Sequence, residues 1–188
     1  KRVVMIASGD LSHKLTAEGP YGFSSEGPKF DKELMECFED ADFLRMMTIK
    51  PEVCESAAEC GHRSFVIMAG AFDRRKVDAH VLSYEGPFGV GYGVATFEGE
   101  DPDPDRDFLD KLEAIEDKEY HERLDKEDPY VKLARLNVET FVKTGQYAPL
   151  PNNLPADMMD KRAGVFVSLH EHGRLRGCIG TTEPTQAN

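Results

Sequence analysis

The sequence predicts an α/β protein built in two parts, and three observations carry that reading. Val3-Val4-Met5-Ile6 is a continuous apolar run, the pattern of a strand covered on both faces of a sheet. From Phe30 to Met47, Leu34, Cys37, Phe38, Ala41, Leu44 and Met47 recur at steps of three and four, the period of a helix with one buried face. Towards the other end, "AGVFVSLHEHGRLRGCIG" alternates as a hairpin, with strand 165–170, a turn at Glu171-His172-Gly173 and strand 174–179. A chain of 188 residues with 40% hydrophobic content has the material for real cores.

Between these elements the pattern continues in order. Ala7-Ser8-Gly9 ends the first apolar run, and a loop rich in Gly, Pro and Ser follows. Pro51 starts a short helix through about Ser56, because proline is preorganised for a first helical turn. "ECGHRSFVIMAGAF", residues 59–72, reads as a buried helix whose first turn holds the polar residues. Residues 81–84 and 90–97 read as two closing strands around the turn Glu85-Gly86-Pro87. "EGEDPDPD" from Glu98 is a breaker-rich linker into a helix with Phe108, Leu109, Leu112 and Ile115 on one side. Pro129 starts a further helix in which Tyr130, Leu133, Ala134, Val138, Phe141 and Val142 face one way, and Gly145 suits its end. The organisation expected is a first domain over 1–97, an acidic helical linker over 98–127 and a second, short domain over 128–188. Lys1 abuts a core strand and Asn188 follows a Gly-rich one, so both domains are expected to be partial.

The charge is localised. Lys and Arg number 23 against 35 Asp and Glu, a net −12, and fifteen acids against five bases fall between Glu98 and Asp128. The acidity therefore marks one segment and does not surround a site. A solvated linker is the default reading of such a run. No basic stripe is present to neutralise phosphates, so nucleic-acid binding is not expected. Cys37, Cys54, Cys60 and Cys178 lack disulfide-framework spacing, which points to a reducing, cytoplasmic setting. No apolar run approaches the roughly 20 residues of a membrane span.

Four stretches offer chemistry. Asp10-Leu11-Ser12-His13 stands at the carboxyl end of the first strand, where ligands sit in open α/β sheets. An Asp three residues before a His can orient the imidazole, and the loop beyond, around Ser24-Ser25-Gly27, is suited to a lid. The competing reading makes Asp10 a helix cap and His13 merely exposed. Glu59-Cys60-Gly61-His62 holds three metal-ligand types in four residues. On a helix, Glu59 and Cys60 diverge by about 100° and cannot serve one site squarely; the competing reading is a capped helix with an inert thiol. His170 and His172 lie two apart without an acid or Cys partner at fitting spacing. Arg174, Arg176 and Cys178 alternate onto one face, where two guanidiniums would favour a thiolate; a packed structural Cys is the alternative. "GVGYGV" lacks the strand–loop–helix setting and third glycine of a dinucleotide site, and Rossmann binding is rejected.

"ASGDLSHKL", "AAECGHRSF" and "YEGPFGVGYGVATF" resemble the C-terminal half of a LigB-like domain, the catalytic-subunit fold of class III extradiol ring-cleavage dioxygenases. The Asp-x-x-His and Cys-Gly pairs resemble the MEMO-type branch of that fold. "RAGVFVSLHEHGRLRGCIGT" resembles the start of an AMMECR-type domain. Fusions of the two make up the AmmeMemoRadiSam group, named for a radical-SAM partner. The resemblance implies a partial LigB/MEMO-like α/β/α sheet domain followed by a partial α+β AMMECR-type domain.

It also implies chemistry. In class III dioxygenases two histidines and a carboxylate hold ferrous iron, catechol and O₂ bind the metal, and a further histidine is the acid/base. His13 matches that histidine, with Asp10 as its MEMO-like neighbour. Cys60 matches the MEMO-like third metal ligand, with Glu59 as the adjacent carboxylate alternative. Fe(II) is the metal expected of the complete domain. A thiolate is softer than a carboxylate and admits Cu or Zn. The family's two histidine ligands are expected upstream of Lys1, since His62 and His80 do not match them. The function implied is an extradiol dioxygenase-like oxidoreductase acting on a small catechol-like aromatic substrate. The alternative is a MEMO-like protein that binds metal, peptide or a radical-SAM partner without that chemistry. For the AMMECR-type part the resemblance supplies a fold, and Cys178 is the residue to test.

Overall fold

The computed structural model describes residues 3–171 and 174–184. It is a mixed α/β chain that divides into two compact units between Asp117 and Lys118.

In the first unit, four helices precede an antiparallel ribbon: α1 (Glu26–Glu39), α2 (Phe43–Met47), α3 (Pro51–Ala57) and α4 (His62–Gly70), then β1 (Arg75–Glu85) and β2 (Tyr92–Pro102). α1 buries Phe30, Leu34, Cys37 and Phe38, the face its spacing predicts. The expected single helix over 30–47 is broken. Ala41 adopts a left-handed φ of 50°, and the Asp42 carboxylate accepts the Arg45 N–H, which starts α2 afresh. In β2 alternate residues Gly93, Ala95 and Phe97 turn towards the helices while Tyr92, Val94 and Thr96 face out. The core is aromatic. Phe43 packs against Phe72, Phe97 and Phe108, and Phe38 against Phe65 and Phe97, with ring centroids 5.3–5.9 Å apart.

Three expectations are corrected here. Residues 3–6 are not a buried strand: Val3, Val4 and Ile6 are 81%, 88% and 86% exposed and no ladder takes them up. An apolar run becomes a strand only where a neighbour accepts its N–H and C=O groups, and the described ribbon pairs only β1 with β2. The helix expected from Glu59 begins only at His62, so Glu59, Cys60 and Gly61 form the turn before it. The segment read as linker from Glu98 is still strand. Glu98 pairs with Asp78 and Pro102 with Arg75, because β1 extends back to Arg75 and offers it a partner.

α5 (Phe108–Lys126) leads to the second unit. There α6 (Pro129–Thr144) begins and ends where the sequence predicts. The Asp128 carboxylate accepts the N–H groups of Tyr130 and Val131 at 2.8 and 2.9 Å, and Gly145 closes the helix at φ 72°. Arg135 clamps Glu127 through Nε and Nη2. A short α7 (Ala156–Asp160) precedes the expected hairpin, β3 (Phe166–Glu171) and β4 (Arg174–Gly180), with Ser168 opposite Cys178. Among the described residues no helix is long and apolar enough to cross a membrane.

Candidate functional site

The site is made where two loops touch. Gly9 has a φ of +155°, and a side chain there would run into the Cα of Gly61. The contact is stitched in both directions. The Asp10 N–H donates to Cys60 Sγ at 3.2 Å, and the Cys60 N–H donates to the Asp10 carbonyl at 3.4 Å. Ser64, in the first turn of α4, adds a hydroxyl bond of 2.8 Å to the Ser8 carbonyl.

Beneath, the Leu11–Ser12 backbone is fixed from three sides. Leu11 N–H donates to the Gly91 carbonyl and Gly91 N–H to the Ser12 carbonyl, at 2.9 and 2.8 Å. The Ser12 hydroxyl donates to the Ala57 carbonyl at the end of α3, and the His13 N–H bonds the same oxygen. The Ser12 N–H donates at 2.7 Å to Asp31 Oδ1, a carboxylate only 1% exposed. Burial pushes the Asp31 carboxyl above its ordinary range, against the pull of the Ser12 N–H and the Tyr84 hydroxyl. Asp10 caps no helix, since the first helix begins at Glu26. The stretch expected as part of a lid is tied into the fold: the Ser24 N–H donates to the Lys14 carbonyl, and Gly27 is buried against Ser12 and Lys14 as part of α1.

This scaffold aims three donors at one another. His13 Nε2 lies 3.4 Å from Asp10 Oδ2 and 3.8 Å from Cys60 Sγ, and all three ligand atoms fall within 4.8 Å of each other. The Tyr21 ring stacks on the imidazole at 5.2 Å between centroids. The carboxylate and the sulfur approach the same ring nitrogen. Two partners on one ring nitrogen suit either a cation shared by the three donors or a proton held between the imidazole and the carboxylate. Oxygen, nitrogen and sulfur together suit a divalent transition metal.

Glu59 stands apart from that group. Its Oε2 accepts the His62 N–H at 2.7 Å, and it clusters with Cys54 and His62. His80 pairs with Asp78 on the exposed ribbon at 3.2 Å. Cys178 is exposed on β4 and accepts the Ser168 hydroxyl at 3.2 Å, while Arg176 is paired with Glu171. His170 is exposed on β3, and His172 lies outside the described residues.

Sequence reasoning missed Tyr21, Asp31, Tyr84 and Cys54. Asp31 had a signal: it falls at i−3 and i−7 from Leu34 and Phe38, an acid on the buried face of α1. Tyr21 and Cys54 had none, because their partners lie on other elements.

Fold and site thus define an α/β domain presenting convergent metal-type donors at a loop junction, followed by a smaller α+β unit. Residues 1–95 match the family described as the catalytic LigB subunit of aromatic ring-opening dioxygenase, and residues 131–188 match AMMECR1. The chain belongs to the LigB family and continues into an AMMECR1 region. Along its whole length it is 42% identical to the protein CA_C1420 of Clostridium acetobutylicum, of which it covers 40%. A protein of Thermotoga maritima is 44% identical over 63 residues, 33% of this chain and 36% of that protein. A protein of Methanothermobacter thermautotrophicus is 45% identical over 56 residues, 30% of this chain and 29% of that protein. The chain thus spans about two fifths or less of the length of these relatives.

Proposed function

We propose that the LigB-type domain supplies one side of a metal-dependent site in an extradiol dioxygenase-like oxidoreductase, with Fe(II) as metal and a small aromatic diol as substrate. The observation that supports this most is the placement of His13 Nε2 3.8 Å from Cys60 Sγ and 3.4 Å from Asp10 Oδ2, a proton-carrying group beside the thiol that would hold the metal. Cys60 would hold the metal, its sulfur oriented by the Asp10 N–H. His13 is the proton carrier at Nε2, with Asp10 Oδ2 as the acceptor that orients it and Tyr21 keeping the ring in place. When bound, the ferrous ion supplies the site for O₂ and diol activation.

Anaerobic Fe(II) binding to the full-length protein tests the reading, followed by O₂ uptake with a panel of catechols. Stoichiometric iron lost in Cys60→Ser, with O₂-dependent turnover lost in His13→Ala while iron is kept, is the expected pattern. Turnover that survives His13→Ala overturns the role of that residue.

The thiol in the donor set favours a second reading, a MEMO-like site that binds metal, a peptide or a radical-SAM partner without ring cleavage. Its signature is iron binding dependent on Cys60 with no turnover on any catechol, and partner capture that fails in Asp10→Asn and His13→Ala.

A further inference from the structure

Glu59 and Cys60 are adjacent in the chain, yet their side chains join different groups. Cys60 meets Asp10 and His13; Glu59 meets Cys54 and His62, and in this second group too all three ligand atoms lie within 4.8 Å of one another. No residue is shared between the two.

The second group is built rather than incidental. Cys54 lies in the last turn of α3, and Glu59 follows that helix after Ala58, which takes the left-handed conformation at φ 53°. This reversal lets the Glu59 N–H reach back to the Cys54 carbonyl at 3.4 Å, which brings the two side chains together. Glu59 Oε2 is committed to the His62 N–H at the start of α4, leaving Oε1 for another partner. His62 Nε2 lies 2.8 Å from the Met46 carbonyl. A carbonyl only accepts, so Nε2 carries the proton and Nδ1 carries the lone pair. Histidine ligands of metals are fixed in this way, with the far N–H donated to a backbone carbonyl. All three side chains are half-buried, accessible to an ion yet partly screened from water.

We infer that Cys54, Glu59 and His62 form a second metal site, taking a zinc-type divalent cation through sulfur, carboxylate oxygen and Nδ1, with water in the fourth position. Thiolate, imidazole and carboxylate are the donor types zinc accepts, and three protein ligands plus water is a complete tetrahedral set. The ion would clip the end of α3 to the start of α4 and so hold the turn that presents Cys60. The inference does not depend on what the first site does, since none of its ligands is shared.

The test uses Co(II), whose thiolate complexes absorb by sulfur-to-metal charge transfer, added to metal-free full-length protein. In a Cys60→Ser background the protein is expected to bind one equivalent of Co(II) with the thiolate band. Adding Cys54→Ser should abolish the band, and adding His62→Gln should weaken binding at least tenfold; circular dichroism checks that each variant is folded. Absence of the thiolate band in folded Cys60→Ser protein overturns the site, as does a band that persists when both cysteines are replaced. Failure of the wild-type protein to bind iron or to turn over any catechol, with Co(II) binding intact in Cys60→Ser, would remove only the oxidoreductase reading.

Discussion

The Tyr84 hydroxyl donates to Asp31 Oδ2 at 2.8 Å, while the other oxygen of the same buried carboxylate receives the Ser12 N–H at 2.7 Å. One acid on α1 thereby ties the ribbon to the loop that carries His13. Burial dominates its titration and raises the folded pKa above that of the unfolded chain. Between those two values the native state holds a proton that the unfolded chain has released. The stabilisation from this group is therefore complete below the ordinary carboxylate range and is lost as pH rises through its raised value. Asp107 and Glu127 run the other way, their pKa values lowered by Lys111 and Arg135, and lose their contribution as pH falls. Unfolding of wild type and Asp31→Asn across pH 4–7 isolates the first effect. The variant's stability relative to wild type should improve as pH rises. A difference that is flat with pH removes the assignment.

Removing the donor makes a separate prediction. Tyr84→Phe leaves Asp31 Oδ2 buried without its hydroxyl partner, at a cost of about 1–3 kcal/mol. The midpoint of denaturant unfolding should fall with its slope unchanged.

The four cysteines should separate by reactivity in metal-free protein. Burial holds the Cys37 thiol at about 12, and burial with Glu59 nearby holds Cys54 at about 11. Cys60 and Cys178 are exposed. Iodoacetamide followed by mass spectrometry should label Cys60 and Cys178 first and Cys37 last, since the thiolate is the reacting form. Early labelling of Cys37 in the native protein would contradict the core described above.

Phe43 is 1% exposed, the rings of Phe72, Phe97 and Phe108 meet it, and the Arg106 guanidinium lies 5.9 Å from its centroid. Phe43→Ala should cost about 3–5 kcal/mol, the penalty of an unfilled aromatic site. Leu150→Ala, at a side chain 56% exposed in a loop, is the comparison and should cost far less.

At Ala58 a gain is expected. Its left-handed backbone costs an L-residue about 1 kcal/mol that glycine does not incur. Ala58→Gly should raise stability by about that amount and leave metal binding at Cys60 unchanged. Thermal unfolding monitored by circular dichroism measures the first, and Fe(II) titration the second.

Local signals were the legible ones. α1 shows in the spacing of Leu34, Cys37 and Phe38, and α6 in Pro129 and Gly145, because caps and periodicity are written within a few residues. The same local reading ran α1 through Ala41, where apolar spacing continues but the chain turns. Residues 3–6 carried a strand's composition, yet a strand is a relation between segments and composition does not name the partner. At the site, Asp10, His13 and Cys60 were found by motif. Glu59 and Cys60 do join different groups, but not through the helical spacing expected of them, since both stand before the helix. The pairing of Asp31 with Tyr84 stayed hidden because 53 residues separate them.

The turn from Ala58 to Gly61 sends consecutive residues to different clusters, so its length carries as much information as its letters. A substitution there alters one donor at a time. Adding or deleting a single residue shifts the phase of the whole turn and redirects carboxylate and thiol together. Such a turn behaves as a reading frame in three dimensions: point changes tune it, whereas a change of length rewrites both neighbourhoods in one step.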